Sequence, residues 1–247
     1  MRVEKCKNDV NVNLVGKHAW NHVIAVTGAL GSGKTEFTMS LAKSLASSGS
    51  DVVLADMDII NPYFCLRTMV RQLERGNVSI LNPPGGMKWG DLSYINPVIR
   101  TKIFDRSAQL VLDIGGDSQG ALALKQFEPE IKEAGYDLIF VINPYRTHTR
   151  TLEELAEMRS KLEDICGLTV TAVVANPHFM DKTRAEECAA GILKVKSFAE
   201  EMGLPMIFGV AELSIFAATR AILDSSIDLW VLGREILLPW EIEKECD

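Results

Sequence analysis

The chain has 247 residues, a length that favours one large α/β domain over two small ones. Apolar residues make up 47% and charged residues 24%, so the chain can bury a core and keep a charged surface. With 33 acidic and 26 basic residues the net charge is −7, which argues against direct nucleic-acid binding, because nucleic-acid surfaces normally carry a basic stripe.

The pattern of apolar residues gives no sign of export or of a membrane. Met1–Asp9 is charged and lacks the apolar stretch of a secretory signal, and no apolar run approaches the roughly 20 residues that span a bilayer. We therefore predict a cytoplasmic protein without a membrane contact. Its five cysteines are scattered and form no Cys-x-x-Cys pair, which favours reduced thiols over a zinc or iron–sulfur site.

Short apolar runs alternate with helical patterns along the chain, which predicts an α/β fold with a mostly parallel sheet of about seven strands between two layers of helices. The runs contain few polar residues, as expected for strands covered on both faces. We expect a single domain, with a core at 22–212 and a C-terminal extension at 213–247. The predicted strands are His22–Thr27, Val52–Asp56, Val78–Leu81, Leu110–Ile114, Leu138–Asn143, Val170–Ala175 and Met206–Val210.

Capping patterns predict where two later helices begin. Thr151 with Glu154 and Thr183 with Glu186 each precede apolar residues at helical spacing. The C-terminal segment 228–238 is compatible with either a hairpin or a short helix.

Asparagine precedes five of the nine prolines, and four of these pairs come just after predicted strands. Asparagine as a cap and proline at the first helical position explain such pairs structurally. The same placement brings polar side chains to the carboxyl edge of the sheet, where open α/β folds bind ligands. The pairs begin at Asn61, Asn82, Asn96, Asn143 and Asn176.

A Walker A pattern follows the first predicted strand and opens an amphipathic helix. Glycines let backbone N–H groups turn toward a phosphate, and the helix N-terminus adds positive potential. Lys34 can reach the β- and γ-phosphates, and the Thr35 hydroxyl can bind Mg²⁺. The predicted phosphate contacts, together with the following Glu36, are Gly28, Ala29, Leu30, Gly31, Ser32, Gly33, Lys34 and Thr35.

Three aspartates follow strands and predict a metal and water site. Asp56 and Asp58 are two apart at the end of the second strand, so both carboxylates can face the γ-phosphate. Asp113 closes an apolar strand in the manner of a Walker B motif, which holds Mg²⁺. It opens the Asp-x-x-Gly sequence ending at Gly116, a form suited to a γ-phosphate-sensing loop. Loop capping alone would explain any single one of these acids, but not three after a P-loop.

Together these residues resemble the MinD/ParA/CobQ–CobB group of P-loop NTPases, the SIMIBI class. The resemblance runs from about Val23 to Val210 and implies that Asp58 orients the attacking water. It also implies that Asp113 and Asp56 lie at the Mg²⁺ and that Asn176 hydrogen-bonds the base.

The chain departs from that group at two positions. Ala29 occupies the place of the signature lysine that reaches a dimer partner's nucleotide in MinD and ParA, so lysine-assisted catalysis in trans is not supported, and a homodimer stays open. Asn176 is followed by Pro177 rather than by the GTPase motif Asn-Lys-x-Asp, which favours ATP over GTP.

These features predict a Mg²⁺-dependent ATP hydrolase that acts as a nucleotide-driven switch on a protein partner. The alternative is an ATP-dependent phosphotransferase or ligase acting on a small metabolite. The glycine- and proline-rich loop Asn82–Asp91, with Lys88, is either a lid or partner-docking loop or a long turn.

Overall fold

A computed structural model describes residues 2–57, 77–81 and 98–233, with side chains from residue 9 onward. Within these residues eight parallel strands form one sheet, in the order β3-β2-β4-β1-β5-β6-β7-β8. The strands are β1 Val23–Thr27, β2 Val52–Met57, β3 Val78–Leu81, β4 Gln109–Ile114, β5 Tyr136–Ile142, β6 Ala172–Ala175, β7 Met206–Glu212 and β8 Leu229–Leu232. The helices are α1 Arg2–Val15, α2 Lys34–Ser47, α3 Val98–Phe104, α4 Ser118–Lys125, α5 Glu128–Ala134, α6 Leu152–Cys166, α7 Ala185–Glu201 and α8 Phe216–Ile222.

The architecture is a three-layer α/β fold with a parallel sheet between two layers of helices, as the sequence predicts. Side chains of β1 alternate between two cores: Val23 and Ala25 face one, and Ile24 and Val26 face the other. The second core contains α2, the helix that follows the Walker A segment. We call this segment, residues 28–35, the phosphate loop, and its helix lies on that one face of the sheet. Every strand of this central region is buried on both sides, which explains its nearly continuous apolar sequence.

The seven predicted strands are all present, and the C-terminal segment adds an eighth. Its residues form β8, which pairs in parallel with β7. A parallel neighbour needs a crossover, here provided by α8. The short helix expected from residue 228 is therefore wrong for 229–232, whereas the hairpin alternative depends on 235–238 and stays a prediction. Trp230 of β8 is fully buried against Phe37 of α2, with ring centroids 5.4 Å apart. Residues 235–238 lie outside the described part of the chain.

The sequence does not predict helix α1, because its largely polar residues show only a weak helical periodicity of apolar positions. Asn11 anchors it to the far edge of the sheet. The Asn11 side chain accepts a hydrogen bond from Val231 N at 2.9 Å and donates one to Val231 O at 2.8 Å. The N-terminal helix therefore covers the strand that the C-terminal segment adds.

One of the two predicted helix caps is confirmed. Thr151 Oγ1 accepts from Glu154 N, and the Glu154 carboxylate accepts from Thr151 N, a full capping box. The cap at Thr183 and Glu186 is wrong, because the Thr183 hydroxyl donates to Met180 O instead. The carboxylate of Glu187 accepts from Arg184 N and marks the start of α7 one residue later.

Two cysteines, Cys166 and Cys188, lie in the described region with their side chains visible, and both are buried free thiols. Burial raises the pKa of Cys188 to about 11, so it is an unreactive core residue, as predicted. None of the helices in the described ranges has the length and apolar character needed to cross a membrane.

Candidate functional site

The Walker A segment connects β1, at the centre of the sheet, to α2. Gly33 is the N-cap of α2 and has a left-handed conformation with φ 83°. A Cβ at Gly33 would also collide with the Asn176 side-chain amide. Glycine is therefore required here both by the backbone conformation and by the space available.

The Asp-x-x-Gly loop after β4 packs directly on the phosphate loop. A Cβ at Gly116 would collide with the carbonyl oxygen of Gly28, so the two glycine backbones are in close contact. Gly28 in turn packs against the backbone of Val141 in β5. Because there is no space between the two loops, a displacement of either loop requires the other to move.

Asp56 and Asp113, the two aspartates of the predicted metal site that lie within the described residues, are side by side. Asp56 and Asp113 are partners in the parallel register of β2 and β4, and both face the side of the sheet that carries α2. Asp113 is fully buried, and Thr38 of α2 donates to its Oδ1 at 3.5 Å. The structure therefore brings Asp56 and Asp113 together beside α2, and their role at a Mg²⁺ ion stays a prediction.

Lys34 and Thr35 begin α2 and are 6% and 8% exposed. Ser32, just before them, is 1% exposed, and its Oγ has no hydrogen-bond partner among the described residues. Ala29 is buried beneath the loop, whereas Leu30 at its apex is 76% exposed. The loop thus presents an unsatisfied hydroxyl together with two side chains suited to phosphate and Mg²⁺.

Two carbonyl groups of the phosphate loop are held from the opposite side by residues of later loops. Asn176 Nδ2 donates to Ser32 O at 2.7 Å, and Arg146 Nε donates to Gly31 O at 3.0 Å. Within the loop, Ser32 N donates to Ala29 O at 2.9 Å. Asn176 and Arg146 therefore add bonds from later parts of the chain to a loop that is already closed by its own backbone.

These two later loops are themselves joined by Asn143. Its Nδ2 donates to His178 O at 3.0 Å, and its Oδ1 accepts from Tyr145 N at 3.1 Å. Tyr145 stacks on Phe179 with ring centroids 4.3 Å apart. We call the residues Asn143, Tyr145, Arg146, Asn176, His178 and Phe179 the clasp.

His178 lies in the clasp beside the phosphate loop, with a buried Nε2. Burial and the positive charge of Arg146 lower the pKa of His178 to about 4. The ring is therefore neutral at pH 7. The sequence alone does not identify His178 or Arg146 as site residues, because histidine and arginine at loop positions are usually on the surface. The local signal for their position is the Asn-Pro pair that precedes each of them and marks the carboxyl end of a strand.

Several predicted site residues lie outside the described residues. These include Asp58, predicted to orient water, and the loop Asn82–Asp91 with Lys88. In the described part of the chain no three His, Cys, Asp or Glu residues cluster as a ready-made metal centre. A cation at this site would depend on Asp56, Asp113, the Thr35 hydroxyl and phosphate oxygens, which are the ligands that Mg²⁺ prefers.

The residues present fit the phosphate chain of a nucleotide. The buried Ser32 hydroxyl, which has no partner among the described residues, lies next to the N-terminus of α2, and both can donate to phosphate oxygens. Lys34 adds the positive charge that a triphosphate requires.

No protein-family model and no curated protein matches this chain. Similar solved structures include the signal recognition particle receptor FtsY from Elizabethkingia anophelis, with 20% identity and a TM-score of 0.45. Chloroplast FtsY from Physcomitrella patens has 16% identity and a TM-score of 0.49, and FtsY from Thermotoga maritima has 18% and 0.45. Each alignment covers 81% of this chain but only 63%, 64% and 67%, respectively, of the FtsY chain.

Proposed function

We propose that this chain is a Mg²⁺-dependent, ATP-binding P-loop NTPase that acts as a nucleotide-driven switch on a protein partner. The observation that carries the proposal is the contact of the Asp-x-x-Gly loop, at Gly116, with Gly28 of the phosphate loop. A γ-phosphate beside Gly28 would hold the Gly116 loop in one position, and its loss would release that loop. We place the chain in the SIMIBI class on the resemblance carried by its motifs.

Lys34 would neutralise the β- and γ-phosphates, with the Ser32 hydroxyl and the backbone N–H groups as further donors. Thr35, Asp56 and Asp113 would hold Mg²⁺, which supplies charge neutralisation at the phosphates. We propose Asp58 as the residue that orients the attacking water, on the resemblance alone.

ATP is proposed over GTP because the GTPase motif Asn-Lys-x-Asp is absent, Asn176 being followed by Pro177. The contact of Asn176 with the base is proposed on the resemblance alone.

A partner protein or a second copy of the chain is supported by Leu30. Leu30, which is 76% exposed, is the most exposed large apolar side chain among the described residues, and a partner that covered it would bury that surface next to the nucleotide. Sedimentation of the protein with and without a non-hydrolysable ATP analogue distinguishes a nucleotide-dependent homodimer from a monomer awaiting another partner.

Isothermal titration calorimetry with Mg²⁺ and either ATP or GTP tests the assignment. We expect tighter binding of ATP, and loss of binding in Lys34→Ala. Lys194→Ala, an exposed lysine on α7, is the matched control and should bind as the wild type does. Unchanged affinity in Lys34→Ala would refute nucleotide binding at this loop, and tighter GTP binding would refute the choice of base.

Hydrolysis requires a separate measurement. Phosphate release should be slow for the protein alone and slower still in Asp113→Asn, with reduced dependence on Mg²⁺. Proteins retained by the chain only with a non-hydrolysable ATP analogue are candidate partners, and a switch predicts that one of them accelerates release.

A phosphotransferase or ligase acting on a small metabolite is the second candidate. It is favoured by a cleft of about 520 Å³ that reaches Thr27, Gly28 and Gly116 from the face of the sheet opposite α2. Stoichiometric phosphorylation or ATP-dependent condensation of a metabolite, rather than partner-stimulated hydrolysis, would establish this candidate.

A further inference from the structure

A cleft lies between α4 and α6 at the carboxyl edge of the sheet, across the sheet from α2. Its inner end touches Thr27 and Gly28, and its volume is about 520 Å³. This is the size range of pockets that hold small organic ligands. The motifs of the sequence do not point to it, because its walls come from helices that the sequence describes only as amphipathic.

The floor and sides of the cleft are apolar. Phe140 of β5 lies below, and Met158, Leu162 and Ile165 of α6 face Ala121 of α4. Leu162 and Phe140 belong to the same buried core, so the cleft is an opening into that core and not a surface groove. A ligand body that fills it must be apolar.

The polar groups at the opening of the cleft, which we call its rim, disfavour the binding of an anionic ligand. Asp117 caps α4 through Oδ1, which accepts from Gln119 N and Gly120 N, both at 2.9 Å. Helix α6 begins with a capping box, in which Thr151 Oγ1 accepts from Glu154 N and the Glu154 carboxylate accepts from Arg150 N and Thr151 N. Each helix N-terminus beside the cleft therefore already has a carboxylate of the chain next to it, which disfavours an anionic ligand there.

The remaining charges of the rim cancel each other. Lys161 pairs with Glu157 at 2.5 Å, which leaves no lysine of the rim unpaired. The carboxylate of Asp117, an exposed residue, is left at the opening of the cleft, next to Gly116. A positively charged group is the complement to this end.

We propose that the cleft binds a small molecule with an apolar body and a protonated amine, the body on Phe140 and α6 and the amine beside Asp117. Because Asp117 directly follows Gly116, which packs on Gly28, the amine end of the ligand lies against the loop that contacts the phosphate loop. This binding site does not depend on the proposed nucleotide, and the test is made in the absence of nucleotide.

Calorimetric titration of the full chain at pH 7 with 4-phenylbutylamine, 4-phenylbutyrate and 4-phenylbutanol tests the charge preference. These probes share one apolar body and differ in the head group. The amine should bind at least about tenfold more tightly than the acid, with the alcohol between them. Equal affinity for amine and acid, or no binding of the amine at millimolar concentration, would overturn the proposal.

Two pairs of variants test the location. Met158→Trp fills the cleft and should abolish binding of the amine, whereas Ala156→Trp puts the same ring on the exposed side of α6 and should not. Asp117→Asn preserves the cap, since asparagine caps as well as aspartate, but removes the charge. It should weaken the amine about tenfold and leave the alcohol unchanged, with Glu153→Gln as the control.

The outcomes separate this proposal from the nucleotide proposal. If 4-phenylbutylamine binds equally to wild type, Met158→Trp and Asp117→Asn, it binds elsewhere and the cleft assignment is wrong. ATP titration of the same variants reports on the phosphate loop independently, so loss of one binding activity with retention of the other shows which proposal has failed.

Discussion

The side-chain amide of Asn176 donates a 2.7 Å hydrogen bond to the backbone carbonyl of Ser32, and both groups are buried. This bond links the loop after β6 to the phosphate loop before α2. It makes Asn176 a residue that shapes the phosphate site, in addition to its predicted contact with the base.

Asn176→Ala should weaken ATP binding about tenfold or more. The Ser32 carbonyl would lose its donor, which costs about 1–3 kcal/mol, and each 1.4 kcal/mol or so is a factor of ten in affinity. Calorimetry measures the effect. Asn21→Ala is the control, because Asn21 Nδ2 also donates to a backbone carbonyl, that of Tyr136, but at the opposite end of the sheet. Equal ATP affinity in the two variants would show that the bond to Ser32 has no part in binding.

Gly116→Ala should impair nucleotide binding through steric overlap alone. The added methyl group would collide with the Gly28 carbonyl, and relief of the overlap must displace the phosphate loop or its neighbour. Overpacking of this kind costs about 1–3 kcal/mol. At Gly16 a Cβ would lie 3.6 Å from the nearest atom, an ordinary contact, so Gly16→Ala should retain wild-type ATP affinity. Wild-type affinity in Gly116→Ala would mean that the two loops do not constrain each other.

Because the His178 ring is neutral in the folded protein, the free energy of unfolding should fall in mild acid. The folded-state pKa of about 4 lies below the ordinary value of 6.5, so the unfolded chain binds the proton first. Stability is therefore lost as the pH falls from 6.5 toward 4, by about 2–3 kcal/mol at pH 4.5.

Urea unfolding of wild type and His178→Asn between pH 4.5 and 8 measures this contribution. The difference in unfolding free energy between the two proteins should be constant from pH 7 to 8. Below pH 6.5 the wild type should lose more stability than the variant. Parallel curves over the whole range would contradict the lowered pKa.

Trp230→Ala should destabilise the fold by about 3–5 kcal/mol, since it removes a fully buried aromatic side chain. The indole N–H also donates to Ser40 Oγ of α2 at 3.0 Å. Trp20→Ala is a matched comparison, because the Trp20 indole donates to Val15 O at 3.0 Å from a partly buried position. Urea unfolding should show the larger loss for Trp230→Ala; a loss no larger than that of Trp20→Ala would mean that β8 contributes little to the core.

Much of the fold follows from local sequence. Seven strands are recognisable because a strand covered on both faces must be apolar along its whole length. The capping box of Thr151 and Glu154 is recognisable because both of its hydrogen bonds are made within one turn. Helix α1 and strand β8 are not, because the contacts that hold them are with distant parts of the chain, such as that of Asn11 with Val231, which lie 220 positions apart.

The Walker A loop is the part of the proposed site that local sequence predicts, since Gly33, Lys34 and Thr35 belong to a single strand–loop–helix unit. The sequence also places Asp56 and Asp113 at the ends of strands, and their pairing across β2 and β4 comes from the order of the sheet. That Asn176 and Arg146 hold the phosphate loop from later parts of the chain follows from the tertiary structure alone. Their contacts with Ser32 and Gly31 depend on β5 and β6 following β1 in the sheet, an order set by packing and absent from any local pattern.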